Sequence, residues 1–121
     1  VNPDTLANQY TNSELWNRNA ALGRLAGNET LLNRIADMFI AQIEQKQSQL
    51  QSAVDAEDAE AIRFESHSIK GVSGDVGADA VRQKSAEMEQ LAKLGVLEDM
   101  SEHMLQLSVL IRATIMLMEK K

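Results

Sequence analysis

Apolar residues recur along this chain at steps of three and four, the spacing that gathers them on one face of an α-helix. The longest run lies between Glu29 and Val54. There Leu31, Leu32, Ile35, Met38, Phe39, Ile43 and Leu50 keep the step, with Gln42 and Lys46 as polar members. It predicts a long helix with one buried face, and the Gln-rich stretch QIEQKQSQLQS is the solvated end of that helix. Ile62, Ser66, Ile69, Ser73 and Val76, flanked by Val72, predict a helix over about 59–74. Asp55 or Asp58 can cap it, where a carboxylate also meets the positive end of the helix dipole. GDVGAD reads as a turn. Val81, Ser85, Met88 and Leu91 then predict a helix over about 80–94, with Asp79 as cap and Gly95 as stop. Met100, Met104, Leu107, Ile111, Ile115 and Met118 predict the last, over about 98–120.

Upstream, TNSELWNRNAALGRLAG forms a further helical segment. Asn12 or Ser13 can cap it, Leu15, Trp16, Leu22 and Leu25 make its apolar side, and Gly27 and Asn28 end it. Residues 1–12 read as a linker or a short helix, with Asn2 as cap and Pro3 at the first position. No internal repeat is present, and β-branched residues are few and do not alternate, so strands are not expected. Four long helices joined by short links predict an all-α, antiparallel four-helix bundle with one or two short N-terminal helices.

Composition narrows the picture. The 121 residues suit a single domain, 1–121. The one proline is Pro3, so nothing interrupts the long helices. With aromatics at 3%, the core is left to Leu, Ile, Val, Met and Ala, and the six methionines read as gap fillers. A net charge of −6 with no basic stripe argues against nucleic acid as a partner. The absence of cysteine excludes disulfides and thiolate metal sites. No apolar run approaches the roughly 18 residues of a membrane span, and no signal peptide is visible. A cytoplasmic setting without membrane contact by this domain is expected. The first residue is Val1 rather than methionine, which suggests a piece cut from a longer protein.

Candidate chemistry concentrates in ESHSIKGVSGDVGA, residues 65–78. At about 100° per residue, with His67 as zero, Lys70 lies about 60° to one side and Gly71 about 40° to the other. Gly74 is about 20° away, Arg63 about 40° and Phe64 about 60°, whereas Ile69 points to the opposite side. His67 therefore stands on the outer face. Two cations flank it, two glycines remove side chains beside it, and Phe64 sets an aromatic ring on its rim. Each glycine costs the helix roughly 1 kcal/mol relative to alanine, which suggests that room for an approaching surface matters. A solvent-facing neutral imidazole is a nucleophile that can take a phosphoryl group as a phosphoramidate. Lys70 can offset the phosphoryl charge. Positions 63, 64, 70 and 71 are Arg, Phe, Lys and Gly, so no metal ligand stands one turn from His67. His103, in SEHMLQ, has no cation or glycine beside it and reads as a solvated or boundary residue.

The stretch ESHSIKGVSGDVGADAVRQKSAEME resembles the histidine-containing phosphotransfer domain of multistep phosphorelays. The residues that carry the likeness are His67, Lys70, Gly71, Ser73 and Gly77. ALGRLAGNETLLNRIADMFI upstream and Met88-Glu89 downstream extend it. The resemblance implies a four-helix bundle with the acceptor histidine in mid-helix. It implies that His67 takes a phosphoryl group on Nε2 from a receiver-domain aspartate and passes it to another, or back. Lys70 would steady the group and Gly71 would leave room. The domain would have no kinase activity and no cofactor, its Mg²⁺ belonging to the partner receiver. Phe64, Arg63 and Gly74 are the candidate partner-binding residues, with Leu15 or Trp16 as further contacts. A carboxylate at Glu89 would repel phosphate unless it points away or accepts from the imidazole Nδ1–H. A monomer is expected, tethered to the inner membrane through a parent hybrid sensor histidine kinase. Two other readings share the frame: an adaptor that docks receivers without carrying phosphate, and the phosphoacceptor domain of a chemotaxis-type kinase.

Overall fold

The computed structural model describes residues 3–120. Among them are seven helices and no strand: α1 (Pro3–Asn8), α2 (Asn12–Leu15), α3 (Arg18–Arg24), α4 (Glu29–Asp55), α5 (Ala59–Val76), α6 (Asp79–Lys93) and α7 (Met100–Glu119). The four long helices close a ring in which α4 packs on α5, α5 on α6, α6 on α7 and α7 back on α4. Their links are residues 56–58, 77–78 and 94–99. Such short links turn the chain back on itself, which gives the expected antiparallel four-helix bundle.

The N-terminal part carries three short helices, one more than expected, because the segment after Tyr10 breaks at Trp16. Thr11, not Asn12 or Ser13, caps α2. Its hydroxyl accepts from Glu14 N at 3.1 Å and the Glu14 carboxylate accepts from Thr11 N at 2.8 Å, a reciprocal capping box. Trp16 then leaves the helical region (φ −143°, ψ 103°). Its indole N–H donates to Val76 O at 3.0 Å, and Asn17 N–H donates to Gly77 O at 2.8 Å. Asn17 also caps α3 by accepting from Ala20 N at 3.2 Å. The α2–α3 junction is thus tied to the α5–α6 turn. Gly77 holds φ +84°, and a Cβ there would lie 2.8 Å from Asn17 O, so only glycine fits. The Asn2 cap lies outside the described residues.

The core face of α4 runs through Leu32, Ala36, Phe39, Ile43 and Leu50. Leu31 and Met38, expected in that stripe, are exposed instead, Met38 by 53%. The small Ala36 occupies the place one turn after Leu32, and Met38 falls about 160° away from it around the helix, taking the shorter arc. On α5 the predicted face is the observed one: Ile62, Ser66, Ile69, Ser73 and Val76 are all buried. Asp58 caps α5, accepting from Ala61 N at 3.1 Å. Asp79 is the first residue of α6 rather than its cap, and its carboxylate accepts from Asn17 Nδ2 at 3.2 Å. Met88, Met100, Met104 and Met118 are buried among the aliphatic residues of the core. Each fully buried large apolar side chain contributes roughly 1.5–3 kcal/mol. That burial holds α5 and α6 rigid under the residues they present outward.

Candidate functional site

The outer side of α5 faces solvent along the seam with α6. His67 sits there in mid-helix, its side chain 66% exposed. Gly71, one turn on, has nothing within 4 Å of where a Cβ would stand. Phe64, one turn before, is 64% exposed. The interface of α5 with α6 brings up Glu89, whose side chain is only 8% exposed. Its Oε2 lies 2.8 Å from His67 Nδ1 and its Oε1 lies 2.6 Å from Lys70 Nζ. One buried carboxylate therefore holds both side chains of the His-x-x-Lys pair.

This arrangement sets the imidazole's tautomer. Burial would raise the Glu89 pKa. The hydrogen bonds from Lys70 and His67, with the charges of both, outweigh it and hold the carboxyl below its ordinary value. An ionised carboxylate only accepts, so Nδ1 carries the proton. The lone pair is then on Nε2, at the exposed end of the ring. When Nε2 bonds to phosphorus the ring gains positive charge, and Glu89 is already placed to share it through Nδ1–H. Glu89 thus does not oppose phosphate as a bare charge, because both its oxygens are taken.

The other sequence candidates are placed as follows. Lys70 is half-buried and paired rather than free in solvent. Arg63 is engaged by Glu60 one turn away on the exposed side of α5. Gly74 is not open space: a Cβ there would lie 3.2 Å from Arg82 Cδ. Leu15 and Trp16 are buried and offer no docking surface, because α2 packs inward on α6 and α7. His103 is in a separate polar cluster, with its Nδ1 3.0 Å from Glu87 Oε1 and 3.2 Å from Lys84 Nζ. An apolar groove lined by Ile40, Gln47, Leu105, Val109 and Met116 lies between α4 and α7 and involves no residue of α5. Among the described residues, no group of three or more His, Cys, Asp or Glu side chains could hold a metal ion. No helix among the described residues is long and apolar enough to cross a membrane. The residue whose contribution sequence reasoning left open was Glu89. The signal was a carboxylate on the apolar-periodic side of α6, immediately after Met88.

A family model described as the Hpt domain matches residues 34–115, more than half of the chain and the whole of the α5–α6 seam. The chain belongs to the Hpt domain family. The bundle is also similar to the crystal structure of histidine-containing phosphotransfer protein B (HptB) from Pseudomonas aeruginosa PAO1. The TM-score is 0.80 at 24% sequence identity, over 88% of this chain and 92% of that one. A comparison with curated proteins finds no match. As an Hpt domain the chain serves histidine phosphotransfer in a phosphorelay, where such domains interact with receiver domains.

Proposed function

We propose that His67 is the residue that carries the phosphoryl group. It takes the group on Nε2 from a receiver aspartate and returns it to the same or another receiver. The observation that carries this reading is the 2.8 Å contact between His67 Nδ1 and the buried Glu89 carboxylate, which leaves Nε2 unprotonated and outward. The new Nε2–P bond forms as the P–O bond to the aspartate carboxylate breaks, and the carboxylate leaves as the anion. Lys70, one turn from His67 on the same helix and paired with Glu89, offsets the phosphoryl charge. Gly71 leaves the approach open, and Phe64 supplies an apolar rim to the docking face. The domain needs no cofactor of its own, and the Mg²⁺ belongs to the receiver. It works as a monomer in the cytoplasm, as part of a hybrid sensor histidine kinase.

The test is transfer from a ³²P-labelled receiver domain to the wild-type chain, to His67→Gln and to His103→Gln. Label should reach the wild type and His103→Gln only, and should be lost in acid and kept in base, as a phosphoramidate is. Label on His67→Gln would overturn the assignment.

A further inference from the structure

Charge on the face around His67 is unevenly cancelled. Glu60 engages Arg63 and Glu89 engages Lys70, so both cations nearest the histidine carry their own counter-charge. Two arginines further along do not. Arg82 of α6 lays its stem over Gly74, whose missing side chain makes the room, with a Cβ position only 3.2 Å from Arg82 Cδ. Arg24 of α3 reaches the same point from the other side, its guanidinium donating to Gly74 O at 3.3 Å. Both are exposed, and among the described residues no carboxylate pairs with either. Asp79, the acid nearest in sequence to Arg82, is bonded by Asn17, and Asp75 lies about 100° round α5 from Gly74. Gly74 is seven residues from His67, so the two arginines converge about 10 Å along the helix on the same face.

We infer that Arg82 and Arg24, gathered at Gly74, form a cationic docking corner that orients the acidic rim of a receiver domain toward His67. The inference rests on the reading of His67 as the phosphoryl carrier. Its partner follows from chemistry. A receiver aspartate that carries a phosphoryl group works with a divalent cation, which is held by further carboxylates. The rim of that site is anionic, and the positive corner at Gly74, where no carboxylate among the described residues pairs with either arginine, matches it. Phe64 lies on the opposite side of His67 along α5. The partner therefore meets an apolar contact at one end and charge at the other, which sets its orientation as well as its attraction. Gly74 thus serves to seat Arg82, a different use of glycine from the clearance at Gly71.

The experiment compares two phosphoryl donors on the full chain. One is a ³²P-labelled receiver domain, chosen from a panel as the fastest donor to the wild type. The other is phosphoramidate, which needs no docking: the Nε2–P bond forms, the donor's P–N bond breaks and ammonia leaves. Arg82→Glu should raise the KM for the receiver about three- to tenfold at about 50 mM salt, with kcat within about twofold, and the difference should shrink as salt rises. The same variant should react with phosphoramidate as the wild type does. Arg82→Lys should restore most of the receiver KM, and Arg24→Glu should give a smaller rise. Gly74→Ala, which displaces the Arg82 stem without touching charge, should raise the KM while keeping the melting temperature. An unchanged receiver KM in Arg82→Glu overturns the inference. So does an equal loss with both donors, which would make the arginine structural. A wild-type chain that accepts label from neither donor would instead defeat the carrier reading itself, and the docking corner with it.

Discussion

Replacing Glu89 with Gln probes the feature that most distinguishes this site, a single buried carboxylate that accepts from both His67 and Lys70. The amide keeps the shape but only one oxygen. It can accept from His67 Nδ1–H or from Lys70, and its NH₂ then confronts the other donor. At His67 the loss is the difference between a charged and a neutral acceptor across the 2.8 Å contact. Charge-assisted bonds are roughly twice as strong as neutral ones, which puts the loss at about 1–1.5 kcal/mol. That bond strengthens as Nε2 attacks phosphorus and the ring becomes cationic, so the loss falls on the transition state. The phosphorylation rate should drop about five- to tenfold. Lys70, released from Glu89, could work against this by turning to the phosphoryl group. Its side chain is 32% exposed, so water competes for it and the gain is the smaller effect. The assay is the rate of reaction with phosphoramidate, which leaves docking out, with ¹⁵N NMR of the imidazole on the same sample. The wild type should show the proton on Nδ1, and Glu89→Gln should shift the ring toward the Nε2–H form. A wild-type ring already protonated at Nε2, or a variant as fast as the wild type, would refute the argument.

Four further outcomes are expected. Because the folded Glu89 carboxyl sits below its ordinary value of 4.5, its stabilising contribution is fully present above that pH and is lost as pH falls through the lower folded value. Urea melts of the wild type should therefore weaken more steeply below about pH 4.5 than those of Glu89→Gln. Lys70→Ala should cost about 1 kcal/mol of stability as well as slowing transfer, because it strips one partner from a buried carboxylate; an unchanged melting curve would contradict the pairing. Gly71→Gln should keep its melting temperature and lose receiver-dependent transfer, since the new side chain enters open space beside His67; unchanged transfer would remove the steric role. Gly77→Ala should lower stability by about 2–3 kcal/mol, because φ +84° and the 2.8 Å approach to Asn17 O must both give way; a neutral thermal melt would sink this.

What the sequence made legible follows from periodicity. A 3.6-residue pattern reports which side of a helix is buried, so the five inward residues of α5 and the outward His67 could be read directly. Where the pattern was dense it misled: on α4 the apolar Leu31 and Met38 looked like core, although the small Ala36 takes the inner position. Trp16 looked like a helix residue because its side chain is apolar, and only the distant bond to Val76 O explains why the helix stops there. The pairings around His67 were less visible still. The angular position of Lys70 suggested a free cation, and that of Gly74 suggested clearance. Whether each is occupied depends on residues of the neighbouring helix α6, Glu89 for Lys70 and Arg82 for Gly74, which the pattern along α5 does not encode.

The reach of Glu89 has a cause in the residues beneath it. The interface between α5 and α6 is the most extensive in the bundle, and the buried residues of the two helices include the small Ser66, Ser73, Ala80, Ser85 and Ala92 beside the larger Ile62, Ile69, Val81 and Met88. Ser66 Oγ donates to Ile62 O at 2.6 Å and Ser85 Oγ to Val81 O at 2.8 Å, so these hydroxyls are satisfied within their own helices. Small residues at a helix contact let the two axes approach, because interaxial distance follows the side chains between them. A glutamate on α6 can then span the seam at its ordinary length and meet the α5 histidine at 2.8 Å. Enlarging Ser66 or Ser85 would push the helices apart at the level of the site, and Glu89 would lose Nδ1 before it lost the fold. Ser85→Leu should therefore remain helical by circular dichroism, melt lower by about 1–3 kcal/mol of overpacking, and lose the Nδ1–H imidazole signature. If that signature survived the enlarged side chain, close packing of α5 on α6 would not be what holds the tautomer.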